Sequence, residues 1–415
     1  MLQKMLLVCT SEQFQPEKEY ILHVLLGEML GIAYRVEYKP GDRHVLQLPN
    51  GSELIIKDGF PDLHRMGLEG WQMPAEGDWN PSTFDPFATA FYLLTRSEER
   101  QIMTRDKHGR FPVAQSLAWK HGFLQRPVVN EWADRIWDAL LRLGWKGERK
   151  SRQFRMSISC DVDHPRLWWS EFDRLKTLAG AVFKRGDLQE AGYWFKNHMF
   201  RQKDPYDVFD EWMDLFEKNG HKAQFNFMGQ RPASSDCWYP LNHSFIKNLI
   251  TKMTARGHTI GFHPSYEAFE DQEAFKRELA SLQDISPVEI VAGRQHYLRF
   301  SVPETWKMWE GSGLKEDSTL GYPEQVGFRA GICHDYPVFD LETRKMLRLR
   351  EKPLIAMDVT LAQYQQLTPQ QALESLLQLR KTVEKHQGDY TLLWHNSSWN
   401  SPFWENWKAV FRSMV

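Results

Sequence analysis

Cysteine is scarce in this sequence: four in 415 residues, Cys9, Cys160, Cys237 and Cys333, with no CxxC spacing. That pattern excludes a disulfide framework and a zinc knuckle, and reads as reduced thiols of a cytoplasmic protein. No apolar run approaches the ~18 residues of a membrane span. The N-terminus, MLQKMLLVCT, has an apolar stretch too short for a secretory core, and no small-residue cleavage site follows it. It therefore reads as a first strand and not as an export signal. Basic runs are also missing, and the net charge is −2. A nucleic-acid partner is not expected without a basic footprint. No internal repeat or low-complexity tract is visible. What remains is ordinary globular composition, 42% hydrophobic and 26% charged, in a chain long enough for about two or three domains and a large core. Tryptophan is abundant, with 17 copies. Aromatic faces stack on sugar rings, but any single tryptophan is read first as core.

Residues 1 to about 150 read as a separate, smaller α/β unit. Tyr20 to Gly31 has an amphipathic helical pattern ended by glycine. His44 to Asp58 is a hairpin, two alternating apolar runs around Asn50-Gly51. Asp85 to Leu94 and Glu131 to Leu143 are short helices, and the polar run Trp145 to Lys150 is a linker. From 151 to 415 the pattern changes. Strand-like runs at Met156–Val162, Ala223–Met228, Thr259–His263 and Glu289–Ala292 alternate with helical patterns such as Asp207–Lys218 and Phe245–Arg256. Strands alternating with helices predict βα units around a largely parallel sheet, with functional groups where the strands end. The aromatic insertion Trp168 to Asp204 is either a lid or an outward packing excursion.

One stretch raises a physical question. In SISCDVDHP, Asp161 and Asp163 stand two apart at the end of a strand, so both side chains share a face. Like charges so placed repel, and one pKa rises unless a cation compensates. The arrangement calls for a metal or a shared proton. Four further clusters fall at predicted strand or loop ends: His258, His263 and Glu267 in GHTIGFHPSYE; Arg294, His296, Tyr297 and Arg299 in GRQHYLRF; Asp317 in EDSTLGY; and Leu392, His395 and Trp399 in TLLWHNSSW. Each alone reads as a hydrogen-bonded structural histidine, a turn aspartate or an N-cap. The set and its order carry the signal.

In that order the sequence resembles the polysaccharide deacetylases of the NodB-homology type, the carbohydrate esterase 4 group. The resemblance spans about 150–415. It implies a distorted (β/α) barrel as the C-terminal part of an α/β chain. It places Asp161 on the catalytic base and Asp163 on the metal-ligand aspartate. His263 falls on the first metal histidine, Arg294 and Tyr297 on the third motif, Asp317 on the fourth, and Leu392 with His395 on the fifth. The whole chain, including the DKHGRFP run, also resembles bacterial deacetylase-like proteins with an uncharacterised N-terminal domain.

Two positions depart from the family. Its second metal histidine should stand four residues after His263, where this chain has Glu267, and the proline of its third motif is His296. A lost ligand and a gained imidazole suggest a relocated third ligand. The expected metal set is Asp163, His263 and His296, suited to Zn²⁺, with Co²⁺ or Ni²⁺ as alternatives; Glu267 and His164 compete for the third place. The resemblance implies that Asp161 is the general base, held ionised by Arg294. By the same resemblance, His395 is expected to protonate the leaving amine and Asp317 to raise its pKa. It further implies that Tyr297 would contribute a backbone N–H to the oxyanion and that Leu392 and Trp394 would line an acetyl pocket. The expected substrate is an N-acetylated sugar or glycan intermediate, releasing acetate. The rivals are amide hydrolysis of a non-sugar substrate and an inert glycan-binding or scaffold protein whose site holds no metal.

Overall fold

The computed structural model describes residues 5–66, 74, 79–196, 203–230 and 239–415. Cys237 and residues 197–202 of the aromatic insertion lie outside them. The described residues build two sheets. The first has four strands, β1 (Leu6–Thr10), β2 (Tyr34–Tyr38), β3 (Arg43–Gln47) and β4 (Glu53–Lys57), in the order β2-β1-β3-β4. β1 and β2 are parallel, joined through a helix that runs from Gln15 to Leu30 and ends at Gly31. β3 and β4 form the predicted hairpin. The alternating burial of Leu54 and Ile56 in β4 is the period-two pattern that Leu54-Ile55-Ile56 encodes. The predicted helices appear as Pro86–Leu94, capped by Asp85, and Val128–Arg142.

The second sheet has nine strands. In chain order they are β5 (Arg155–Val162), β6 (Ala223–Phe227), β7 (Thr259–Phe262), β8 (Ala292–Gly293), β9 (Glu316–Asp317), β10 (Tyr336–Asp340), β11 (Lys345–Glu351), β12 (Ala356–Met357) and β13 (Asp389–Leu393). The spatial order is β10-β11-β9-β8-β7-β6-β5-β13-β12. Every neighbouring pair is parallel except β10 with β11. Among the described residues the ladder does not close, and β10 and β12 remain its two edges. The run predicted as a strand over Glu289–Ala292 pairs only from Ala292 onward. Just before it, the Val291 carbonyl accepts from Lys315 N and Glu316 N.

Helices Phe209–Lys218 and Ser244–Ala255 pack apolar faces on the sheet, burying Phe209, Trp212, Met213 and Phe216 from the first and Ile246, Leu249, Ile250 and Met253 from the second. The insertion after β5 carries helices Glu171–Ala179 and Leu188–Trp194 and gathers its own small core of Trp168, Ala181, Ala191 and Trp194. Among the described residues, no helix is long and apolar enough to cross a membrane.

The hydrophobic core runs without a break from the four-stranded sheet into the nine-stranded one. Polar ties accompany it: Tyr20 donates to the Pro337 carbonyl at 2.8 Å, and Tyr336 to the Leu94 carbonyl at 3.0 Å. A further tie is a buried charge cluster. Arg329 forks onto both carboxylate oxygens of Glu99, at 2.9 and 2.7 Å. Arg96 binds Glu99, Glu98 and the Arg329 carbonyl. Two guanidinium groups and two carboxylates thus neutralise each other out of water. Removing one partner of such a group leaves a buried charge uncompensated, at about 3–5 kcal/mol. Glu99→Gln is accordingly expected to lower unfolding free energy by about that amount in urea denaturation, whereas a loss below about 1 kcal/mol would contradict the cluster's role.

Candidate active site

Most of the polar residues singled out in the sequence stand at the carboxyl end of a strand of the nine-stranded sheet. Asp161 is the penultimate residue of β5 and Asp163 just follows it, His263 follows β7, Arg294 follows β8, Asp317 closes β9 and His395 lies two residues beyond β13. Because all these strands run parallel, their ends open on one side. There they border a cavity of about 510 Å³ lined by Asp161, Asp163, His263, His296, Tyr297 and His395 among others.

Alternation along β5 turns both aspartates to the same side, as expected. His263 Nε2 is 3.8 Å from Asp161 Oδ2 and 3.3 Å from Asp163 Oδ1. Asp161 is almost fully buried, and its Oδ1 accepts from Arg294 Nη1 at 2.9 Å and Asn226 Nδ2 at 2.7 Å. Burial works against its charge, but Arg294 first, then His263 and His395, hold its carboxyl below the usual range. Arg294 is itself fixed by the Ser318 carbonyl and the Ser159 hydroxyl. Asn226 was not foreseen. Its register partner on β7 is Gly261, where a Cβ would lie 2.0 Å from Asn226 Oδ1. The glycine in GHTIGFH is thus what lets the amide reach Asp161.

Asp163 Oδ1 is buried and accepts no hydrogen bond, yet it faces His263 Nε2 at 3.3 Å and His296 Nε2 at 3.8 Å. One donor atom from each of Asp163, His263 and His296 lies within 4.8 Å of the others. His263 Nδ1 meets the Arg294 carbonyl at 2.6 Å, which turns Nε2 toward the cluster. A carboxylate oxygen with no well-formed hydrogen bond, beside two convergent imidazoles, fits a divalent ion. Both rivals for the third place, Glu267 and His164, are exposed and stand apart from this group.

His395 Nε2 is 3.9 Å from Asp163 Oδ2. Its Nδ1 is 2.8 Å from Asp358 Oδ1, and its backbone N–H donates to Asp358 Oδ2. The carboxylate behind this imidazole is therefore Asp358, not Asp317. Asp317 lies on the other side of Arg294's strand, where its Oδ1 accepts from Thr319 Oγ1 and its pKa is raised by burial beside Glu351, a second buried carboxyl raised by burial. Asp358 follows β12, which pairs with β13 and so delivers it next to His395. The apolar run PLIAM ended by Asp358 had the same form as the other strand-end signals.

Leu392 and Trp394 do not line the cavity. Both are fully buried in the core, with Trp394 packed on Phe411 and Trp407. Leu393 lines it, together with Met357 and Leu298. The reason is parity: Leu393 shares a side with His395 along the strand, whereas Leu392 and Trp394 take the other. His258 is structural, accepting from Ala223 N and facing Glu217. The aromatic insertion supplies none of the described lining residues, but the N-terminal part of the chain supplies Lys107 and Arg110.

A second cluster, His44, Asp58 and Asp85, also brings donor atoms within 4.8 Å. Its atoms are already engaged. Lys18 Nζ stands 2.5 Å from Asp58 Oδ2, His44 is bound by Thr10 and Asp85, and Asp85 caps helix Pro86–Leu94. The Lys18 ammonium takes the place a cation would have.

Comparison with known proteins gives a partial match. A family profile described as "Family of unknown function (DUF7033)" covers residues 6–144. No curated protein matches the chain. Among solved structures the chain is similar to a candidate polysaccharide deacetylase from Mycobacterium smegmatis, at 16% identity and a TM-score of 0.41 over 64% of this chain and 83% of that one. It is also similar to Puue allantoinase, at 12% identity and a TM-score of 0.38 over 63% and 83%.

The electrostatics of His395 are open to direct measurement. Burial disfavours its charge, but Asp358, then Asp163 and Asp161, push its pKa up to about 10 in the metal-free protein. The unfolded value is about 6.5, so this stabilising contribution is complete below that pH and is lost as pH rises through the folded value. In metal-free protein, NMR is expected to show His395 still protonated at pH 8. Asp358→Asn should lower its midpoint by more than about one unit, and an unmoved midpoint would contradict the pairing.

Proposed function

We propose that the chain is a metal-dependent hydrolase of carbon–nitrogen bonds that removes an N-acetyl group from a sugar or glycan intermediate and releases acetate. The observation that carries this reading is the convergence, in one cavity, of three chemically distinct sets. They are a ligand group (Asp163, His263, His296), an ionised buried carboxylate on an arginine (Asp161, Arg294) and a cationic imidazole on a carboxylate (His395, Asp358). The sugar as substrate rests on the motif order that resembles the polysaccharide deacetylases. A cavity of about 510 Å³ with Tyr297 and Tyr364 in its wall suits a monosaccharide unit.

Asp163, His263 and His296 would hold the ion, a mixed oxygen and nitrogen set suited to Zn²⁺. When bound, the ion supplies Lewis acidity for a water and an acyl oxygen. The remaining work belongs to the chain. Asp161 has its Oδ1 taken by Arg294 and Asn226, which leaves Oδ2 to accept the proton of the attacking water. Arg294 keeps that carboxylate ionised and fixed in direction. The Tyr297 backbone N–H, in a left-handed turn at φ 59°, is the candidate donor to the oxyanion. His395 is held by Asp358 at Nδ1, so Nε2 carries the proton to the amine as the carbon–nitrogen bond breaks. Leu298, Met357 and Leu393, packed together, offer an apolar wall for the acetyl methyl.

The test is acetate release from a panel of N-acetylated sugars and nucleotide- or lipid-linked sugars, with wild type beside Asp161→Asn. The variant is expected to lose about 10²- to 10⁴-fold in kcat while keeping its metal. Full activity in Asp161→Asn would remove the general-base assignment, and hydrolysis confined to non-sugar amides assayed beside the panel would remove the sugar.

A further inference from the structure

The N-terminal part of the chain reaches the cavity through the turn in DKHGRFP. Residues 106–110 close on themselves. Asp106 N donates to the Arg110 carbonyl at 2.9 Å and Gly109 N to the Asp106 carbonyl at 3.0 Å. The Asp106 carboxylate accepts from the backbone N–H of His108 and of Arg110, and from Arg110 Nε at 2.8 Å. Gly109, at φ 74°, supplies the left-handed step the turn needs.

Facing it is the turn that carries His296. Tyr297 and Leu298 are successive non-glycine residues at φ 59° and 55°. Such backbone persists only where its surroundings over-determine it. Two arginines do so, each reaching from its own turn to a carbonyl of the other. Arg110 Nη1 donates to the Tyr297 carbonyl at 3.1 Å, and Arg299 Nε donates to the His108 carbonyl at 2.8 Å. Arg299 also binds the Tyr266 carbonyl and lies over the Tyr266 and Phe269 rings. A row of rings fills the space between the turns and ends at the ligand group: His108 to Tyr297 at 5.0 Å, Tyr297 to His296 at 4.5 Å, and His296 to His263 at 5.0 Å.

We propose that Arg110, braced by Asp106, is a positioning residue of the metal centre: it holds the His296–Leu298 turn and thereby aims the His296 imidazole and the Tyr297 N–H. This assigns the N-terminal region a task in building the hydrolase pocket, and it rests on the reading of His296 as a ligand. The buried Arg110 side chain has its charge met by Asp106 and donates along both arms of its planar fork. A lysine offers a single point and cannot reproduce both contacts. Groups that orient a ligand from outside the first ring of donors change metal affinity by about 10- to 100-fold when lost.

The experiment is calorimetric titration of the metal-free full chain with Zn²⁺, comparing wild type, His296→Ala, Arg110→Ala and Arg110→Lys, each first shown to be folded by circular dichroism. His296→Ala and Arg110→Ala are both expected to weaken Zn²⁺ binding, the latter about tenfold or more, with Arg110→Lys between it and wild type. A merely structural arginine would lower the melting temperature and leave the affinity of the folded protein alone. Wild-type affinity in His296→Ala removes the ligand reading itself. Weakened binding in His296→Ala with wild-type binding in Arg110→Ala overturns the positioning role. Should Arg110→Ala not fold, Asp106→Asn decides in its place: weakened binding in the folded variant supports the brace and unchanged binding overturns it.

Discussion

Asp161 and Asp163 end one strand with their carboxylates on the same side, and compensation of that pair organises the cavity around them. Asp161 is neutralised by the protein itself, through the buried Arg294 guanidinium and the Asn226 amide. Asp163 has no such partner. It has imidazoles instead, His263, His296 and His395, none of which carries a fixed charge at neutral pH unless its surroundings impose one. In the metal-free chain those imidazoles hold its carboxyl well below the usual range, against the effect of burial. The asymmetry is plain: one carboxylate is paired with the protein's own guanidinium, and the other faces imidazoles at the place where the proposed ion would be held.

The nine-stranded sheet makes this arrangement economical. Parallel strands end on one side, so single residues placed after β5, β7, β8, β12 and β13 meet without any long excursion of the chain. The exception is the turn with His296, whose backbone lies in the left-handed region and is gripped from outside the sheet by the 106–110 turn. The continuous core and the Arg96–Glu99–Arg329 cluster tie the N-terminal region to the nine-stranded sheet on either side of that contact.

Much of this was legible in the chain. The alternation of strands and helices, the hairpin at Asn50-Gly51 and the glycine that stops the first helix are local signals, and local signals survive folding. The convergence of Asp161, Asp163, His263, Arg294 and His395 was legible because each closes an apolar run. Other features, Asn226 among them, were not. Asp358 has the same local form, but only the pairing of β12 with β13 puts it beside His395, and pairing across distant segments leaves no mark in a single sequence. Leu393 was displaced by Leu392 and Trp394 through a one-residue error in side-chain parity, which a strand turns into the opposite face. The contact of Arg110 with the Tyr297 carbonyl joins two regions nearly two hundred residues apart. The replacement of a histidine by Glu267 pointed to a relocated ligand. The exposure of Glu267 and the approach of His296 to Asp163 and His263 agree with that reading in geometry.

The measurement closest to the central claim is elemental mass spectrometry of the purified chain, with Asp163→Ala and His263→Ala beside wild type. About one divalent ion per wild-type chain, absent from both variants, is the expected result for the ligand group. No ion in the wild type, even after incubation with Zn²⁺, Co²⁺ or Ni²⁺, would contradict it and leave Asp163 with the surrounding imidazoles as its sole compensation among the described residues.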